Sequence, residues 1–117
     1  MSITALSQRT LNHLEIIQSL RSLFSISANA EEFLYTHSEL ADILKEAKKH
    51  IETHFGNSKL ALDVLRNETG EVSQLFLKIL TPFSVEESNQ RLQALDEEWT
   101  LDNALELDNI IIDVVYH

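Results

Sequence analysis

Two runs of strict alternation, separated by one turn, constrain this chain more than anything else in it. Over Lys59–Arg66, Leu60, Leu62 and Val64 alternate with Ala61, Asp63 and Leu65; over Gln74–Leu80, Leu75, Leu77 and Ile79 alternate with Gln74, Phe76, Lys78 and Leu80. A period of two places successive side chains on opposite faces of a strand. Asn67-Glu68-Thr69-Gly70 lies between the runs, and Gly70 offers the left-handed conformation that a four-residue hairpin loop needs at its end. The spacing predicts an antiparallel hairpin.

After Thr81-Pro82-Phe83, Ser84 and Glu87 have the spacing of a capping box. Val85, Leu92, Leu95 and Trp99 recur on one helical face, Asp108-Asn109 breaks the pattern, and Ile110, Ile112, Val114 and Tyr116 alternate in a closing strand. A helical crossover brings this third strand back parallel to the second. Placed beside the first strand, it gives a three-stranded antiparallel sheet in order 2-1-3. The expected fold is α+β: two N-terminal helices packed on a strand–strand–helix–strand unit. Phe76, Leu65, Ile111 and Val115 are expected on one sheet face, opposite Leu62, Leu77 and Ile112.

Leu95-Asp96-Glu97-Glu98-Trp99-Thr100-Leu101 at the end of the capped helix, followed by an apolar C-terminal strand, resembles a group of short uncharacterised bacterial proteins. Those read similarly there, often with Phe in place of Leu95 and a second Trp in place of Thr100. The resemblance spans roughly Lys45 to Tyr116. It implies an α+β fold and carries no activity to any residue.

Upstream, Ile3 to Ser27 reads as a helix, with Leu6, Leu11, Leu14, Ile17, Leu20 and Phe24 in helical spacing. Ile16, Leu23 and Ile26 widen the stripe, so a patch drawn from Ile16, Leu23, Phe24 and Ile26 is the expected self-contact of a homodimer. The alternative is deep burial between the sheet and the next helix. Ser25 to Asn29 is a polar break, and Asn29-Ala30-Glu31-Glu32 has capping-box spacing. Thr36-His37-Ser38-Glu39 offers a second start, which leaves 30–55 open as one kinked helix or two pieces. Leu40, Ile43, Leu44, Ala47, Ile51 and Phe55 form the strongest helical stripe, closed by Gly56.

The chain has 117 residues, enough for one domain, with a helical part over 1–57 and the strand-rich part over 58–117. It contains no cysteine, which excludes disulfides, thiolate metal sites and cysteine nucleophiles and fits a reducing, cytoplasmic setting. No signal peptide and no apolar run of membrane length is visible. The net charge is −10, of which residues 1–57 contribute −2 and residues 58–117 contribute −8. Nucleic-acid binding needs cations to replace phosphate counterions, and Lys45, Lys48 and Lys49 are the only basic cluster. A basic protein partner is electrostatically easier than nucleic acid or an anionic membrane.

Few residues point to chemistry. His50 and His54, four apart, share a helix face and are weak candidates for zinc ligands. Glu52 falls about 200° round the helix from His50, unlike the zinc-protease glutamate that directly follows the first histidine. No third ligand is evident, so no metal and no cofactor is expected. Asp96, Glu97 and Glu98 oppose the dipole of the helix they end. Either the helix unwinds near Leu95 or Trp99 packing holds it, and these acids are candidate contacts for a cation or a basic partner. Asp63 and Asp113 sit mid-strand, as exposed residues, hydrogen-bond acceptors or a carboxylate pair for acid–base work. Gly56 and Gly70 are both assigned to turns, which leaves no glycine-rich phosphate loop.

Three function classes follow. The expected one is a non-enzymatic interaction protein that self-associates as a dimer. The alternatives are an antitoxin-like or inhibitory partner of a basic protein, and a metal-dependent enzyme using His50 and His54.

Overall fold

A computed structural model describes residues 14–116. Over these the chain is α+β, with four α-helices and one four-stranded mixed sheet. Residues 14–21 are helical (α1). Strand β1 (Ser25–Ile26), helices α2 (Ala28–Thr36) and α3 (Leu40–Phe55), strands β2 (Lys59–Arg66) and β3 (Val72–Leu80), helix α4 (Val85–Leu95) and strand β4 (Ile110–Val115) follow. No described helix is long and apolar enough to cross a membrane.

The hairpin forms where the alternation requires it. Leu60 faces Ile79, Leu62 faces Leu77 and Val64 faces Leu75. Its loop, residues 67–71, is wound around Asn67, whose Oδ1 accepts from the Thr69 backbone (3.1 Å), the Thr69 hydroxyl (2.7 Å) and the Glu71 backbone (3.0 Å). Gly70 takes φ 85°, in the region where a Cβ is strained. The register steps from Leu65–Gln74 to Arg66–Val72, so Ser73 is an extra residue in a bulge and donates its hydroxyl to the Leu65 carbonyl at 3.2 Å.

Register carries the alternation across the whole sheet. Leu60, Ile79 and Val114 form one row, Ile26, Leu62, Leu77 and Ile112 a second, and Val64, Leu75 and Ile110 a third. These rows form the floor of the core, with Leu34 of α2, Leu44, Ala47, Ile51 and Phe55 of α3, and Leu95 and Trp99 of the α4 region packed into it. Ala61, Leu65, Phe76, Leu80, Ile111 and Val115 alternate onto the opposite face, as the sequence predicts, and none joins that core.

Strand order departs from the 2-1-3 antiparallel expectation. The observed order is β1-β2-β3-β4, with β1 parallel to β2 and β4 parallel to β3. The edge of β2 away from β3 is already taken: Ser25 and Ile26 pair with Ala61 and Leu62, and the Ser27 amide donates to the Leu62 carbonyl at 3.0 Å. The closing strand therefore lies beside the second hairpin strand.

The N-terminal region departs too. Within the described residues the first helix stops at Arg21 rather than Ser27, and its stripe runs on through a turn into β1. The part before residue 14, with Ile3, Leu6 and Leu11, lies outside the described residues. Ser27, not Asn29, caps α2: its hydroxyl accepts from the Ala30 amide at 3.1 Å. Residues 30–55 are two helices, parted at His37, whose amide turns back to the Leu34 carbonyl. Gly56 closes α3 at φ 65°. At α4, half of the expected capping box is made: Ser84 Oγ accepts from the Glu87 amide, while the Glu87 carboxylate pairs with Arg91.

The two sheet faces predict unequal costs of truncation. Leu77→Ala, at a fully buried site, is expected to cost about 2–5 kcal/mol. Ile111→Ala, 37% exposed on the opposite face, is expected to cost under about 1 kcal/mol. Urea unfolding midpoints at low protein concentration measure both.

Candidate functional site

The stripe of α3 puts Leu44, Ala47, Ile51 and Phe55 into the core, which turns His50 and His54 toward α4 and the turn that follows it. That turn carries the acidic run. The α-helix ends at Leu95, and Asp96–Thr100 continues as one wider π-helical turn, closed by the Leu101 amide on the Asp96 carbonyl. A short 3-10 turn, Leu101–Asn103, follows, and Asn103 Nδ2 donates to the Trp99 carbonyl at 2.9 Å. Both sequence alternatives are realised together: the helix changes its winding after Leu95, and Trp99, 5% exposed, anchors the new turn in the core. The carbonyls behind the acids are thus engaged, which eases the conflict with the helix dipole.

Glu98 projects from this turn between the two histidines. His50 Nδ1 lies 3.4 Å from Glu98 Oε1, and His54 Nε2 hydrogen-bonds Glu98 Oε2 directly. The His50 ring stacks on Trp99 with centroids 5.0 Å apart. The hydrogen bond from His54 is the largest influence on Glu98; with the weaker one from His50 it outweighs partial desolvation and holds the carboxyl below its ordinary value. Arg91 braces the other side, donating from NH1 to the His54 carbonyl at 2.6 Å while its guanidinium lies 3.9 Å from the Phe83 ring centroid. The pairing of α3 with the acidic turn is what sequence reasoning missed. The two elements are 44 residues apart at His54 and Glu98, and no periodicity links them.

The other acids behave differently. Glu97 accepts from the Gln93 side chain at 3.2 Å and stays exposed; Asp96 is half-buried. Phe24 is buried in the core, and Ile16, Leu23 and Ile26 pack against it half-buried. Lys48 is paired with Glu52. Lys45 and Lys49 line a surface hollow that also carries Glu39, Asp42, Glu46 and Glu106, so acids outnumber lysines there.

Asp63 and Asp113 do not form a carboxylate pair. Asp63 shares a row with Phe76 and Ile111, Asp113 with Lys78 and Ala61, two strands and two residues apart. Sheet spacing then separates them by about 12 Å. Each instead accepts from the amide of the valine that follows: Asp63 from Val64 at 2.9 Å and Asp113 from Val114 at 2.7 Å. Asp63 also accepts from the Ser27 hydroxyl (3.0 Å) and from Lys78 (3.2 Å).

No family model matches this chain, and no curated protein or solved structure matches it either.

The Val64 amide, with help from Lys78 and Ser27 and against partial desolvation, keeps the Asp63 carboxyl below its ordinary 3.8. A carboxyl lowered in the folded state stabilises fully above its unfolded value and loses that contribution as the pH falls through its folded value. The stability difference between the natural chain and Asp63→Asn is therefore expected to be largest at about pH 6 and to shrink on acidification below about pH 4. Urea titrations across that range measure it.

Proposed function

We propose that this protein is a non-enzymatic interaction protein that self-associates, and that the contact is the sheet face bearing Leu65, Phe76, Ile111 and Val115. The observation that carries this reading is the one-sidedness of the core. Helices α2, α3 and α4 pack on the face of Leu62, Leu77 and Ile112, and Leu65, Phe76, Ile111 and Val115 of the other face take no part in that core. A contiguous apolar patch on a protein surface marks a contact. The patch sought on the first helix turns inward at Phe24, which moves the expected dimer contact to the sheet.

Charge favours a second copy as the occupant. In a chain of net charge −10, this face alternates Lys59 and Lys78 with Asp63 and Asp113 and is balanced. Two copies related by a two-fold axis meet there without the repulsion that their other surfaces impose. A basic partner held by Asp96 and Glu97 is the second reading. It is supported by the exposure of Glu97, and weakened by the engagement of Glu98 with the histidines.

Sedimentation equilibrium at micromolar concentrations is expected to give a mass near twice 13.4 kDa, which Ile111→Lys returns to 13.4 kDa without loss of helical circular dichroism. A mass of 13.4 kDa throughout the range would sink the reading.

A further inference from the structure

We propose that His50, His54 and Glu98 bind one divalent transition-metal ion of the zinc type, which clamps α3 to the turn after α4. The sequence offers two histidines and no third ligand; the fold supplies the carboxylate. Two imidazoles one turn apart on α3 face the two oxygens of one carboxylate, so three groups able to ligate a metal are neighbours across the contact between α3 and the acidic turn.

The spacing at His50 also suits shared ligation. Two ligands at about 2.0–2.1 Å from a tetrahedral ion lie about 3.3 Å apart. His50 Nδ1 and Glu98 Oε1 are 3.4 Å apart, a long hydrogen bond whose length is close to that ligand–ligand spacing. His54 and Glu98 hydrogen-bond directly, and as they stand no three His, Asp or Glu side chains among the described residues are placed to hold a metal ion. Ligation requires the Glu98 side chain, 44% exposed, to turn off His54 and admit the ion.

Donor chemistry selects the ion. Two imidazole nitrogens and one carboxylate oxygen suit Zn²⁺, Co²⁺, Ni²⁺ or Cu²⁺ and are a poor set for Ca²⁺ or Mg²⁺. The cluster opens to solvent, which gives the ion an entry path and leaves its fourth position to water. The surroundings hold the ligands in place: Trp99 orients the His50 ring, and Arg91 fixes the His54 carbonyl. Arg91, the cation braced against this site, is itself paired with Glu87 and stacked on Phe83, and the chain as a whole is strongly anionic. The site belongs to the helical layer and shares no residue with the sheet face proposed for self-association, so either reading can fail without the other.

Isothermal titration of the untagged full chain with zinc chloride tests the inference. One ion per chain is expected, with a melting temperature that rises as zinc is added, because an ion bound only by the native state stabilises it. Loss of a group that merely supports a ligand weakens a metal site by about 10–100-fold, and loss of a ligand weakens it at least as much. The double variant His50→Gln, His54→Gln and the single variant Glu98→Gln are each expected to lose at least about tenfold in affinity while keeping the far-ultraviolet circular dichroism of the natural chain. Titration with Co²⁺ is expected to give the intense visible bands of a four-coordinate ion. The inference is overturned by an absence of saturable zinc binding, by binding that survives the double histidine variant, or by binding that Glu98→Gln leaves unchanged.

Discussion

Everything else in this structure depends on the register that lines up apolar side chains on one face of the sheet. Leu62, Leu77 and Ile112 sit side by side across three strands, flanked by the rows of Leu60, Ile79 and Val114 and of Val64, Leu75 and Ile110. A shift of one residue in any pairing would send a whole strand's leucines and isoleucines to the opposite side. The hairpin loop guards against that shift. Asn67 accepts three hydrogen bonds, Gly70 takes the conformation that turns the chain, and the Ser73 bulge absorbs the odd residue. With the floor fixed, α3 is placed by its own apolar stripe, and its histidines come to face the acidic turn as a consequence.

A sheet of this kind has edges, and the two mid-strand aspartates sit where those edges are open. Strand β1 covers only two residues of β2, so the Val64 amide lies beyond its reach; β4 has no described strand on its outer side. In each place an aspartate bends back to accept the amide of the next residue. An amide occupied in this way offers less to an incoming strand, and a charge on an edge strand opposes edge-to-edge pairing. The same device at both positions explains why carboxylates interrupt otherwise apolar strands. It also leaves the sheet's face, and not its edge, as the surface through which a second copy is expected to dock.

What the sequence made legible was local or periodic. Alternation gave the hairpin and the parity of its residues from Lys59 to Arg66 and Gln74 to Leu80 and of the closing strand, and the stripe from Leu40 to Phe55 gave α3 with its glycine cap. What it hid was tertiary. Leu23, Phe24 and Ile26 continue the helical spacing of Ile17 and Leu20 while the backbone has already left the helix, because the same apolar residues serve a turn and a two-residue strand. So short a strand has no period of its own. It nevertheless decides the strand order, by taking the edge that β4 would otherwise use. The cap of α2 was equally ambiguous: Ser27 and Asn29 both suit the position, and the pairing of the Ser27 amide with Leu62 selects the serine.

The site was half legible for the same reason. His50 and His54 announce themselves by spacing, whereas Glu98 is one of three consecutive acids with nothing in the sequence to single it out. The selection is made by packing. Leu95 and Trp99 must both reach the core, and the π turn between them carries the acids around the outside of that contact. Glu97 is left pointing to Gln93 and solvent, while Glu98 comes down between the histidines. Trp99 then serves two purposes. Its indole fills the core beneath the turn, and its face supports the His50 ring. A helix end that looks electrostatically wrong in the sequence is held in place by the hydrophobic anchor beside it, and departures from local rules of this kind gather where a chain binds something. Here the departure brings a carboxylate to two imidazoles, an arrangement that neither the core nor the sheet requires.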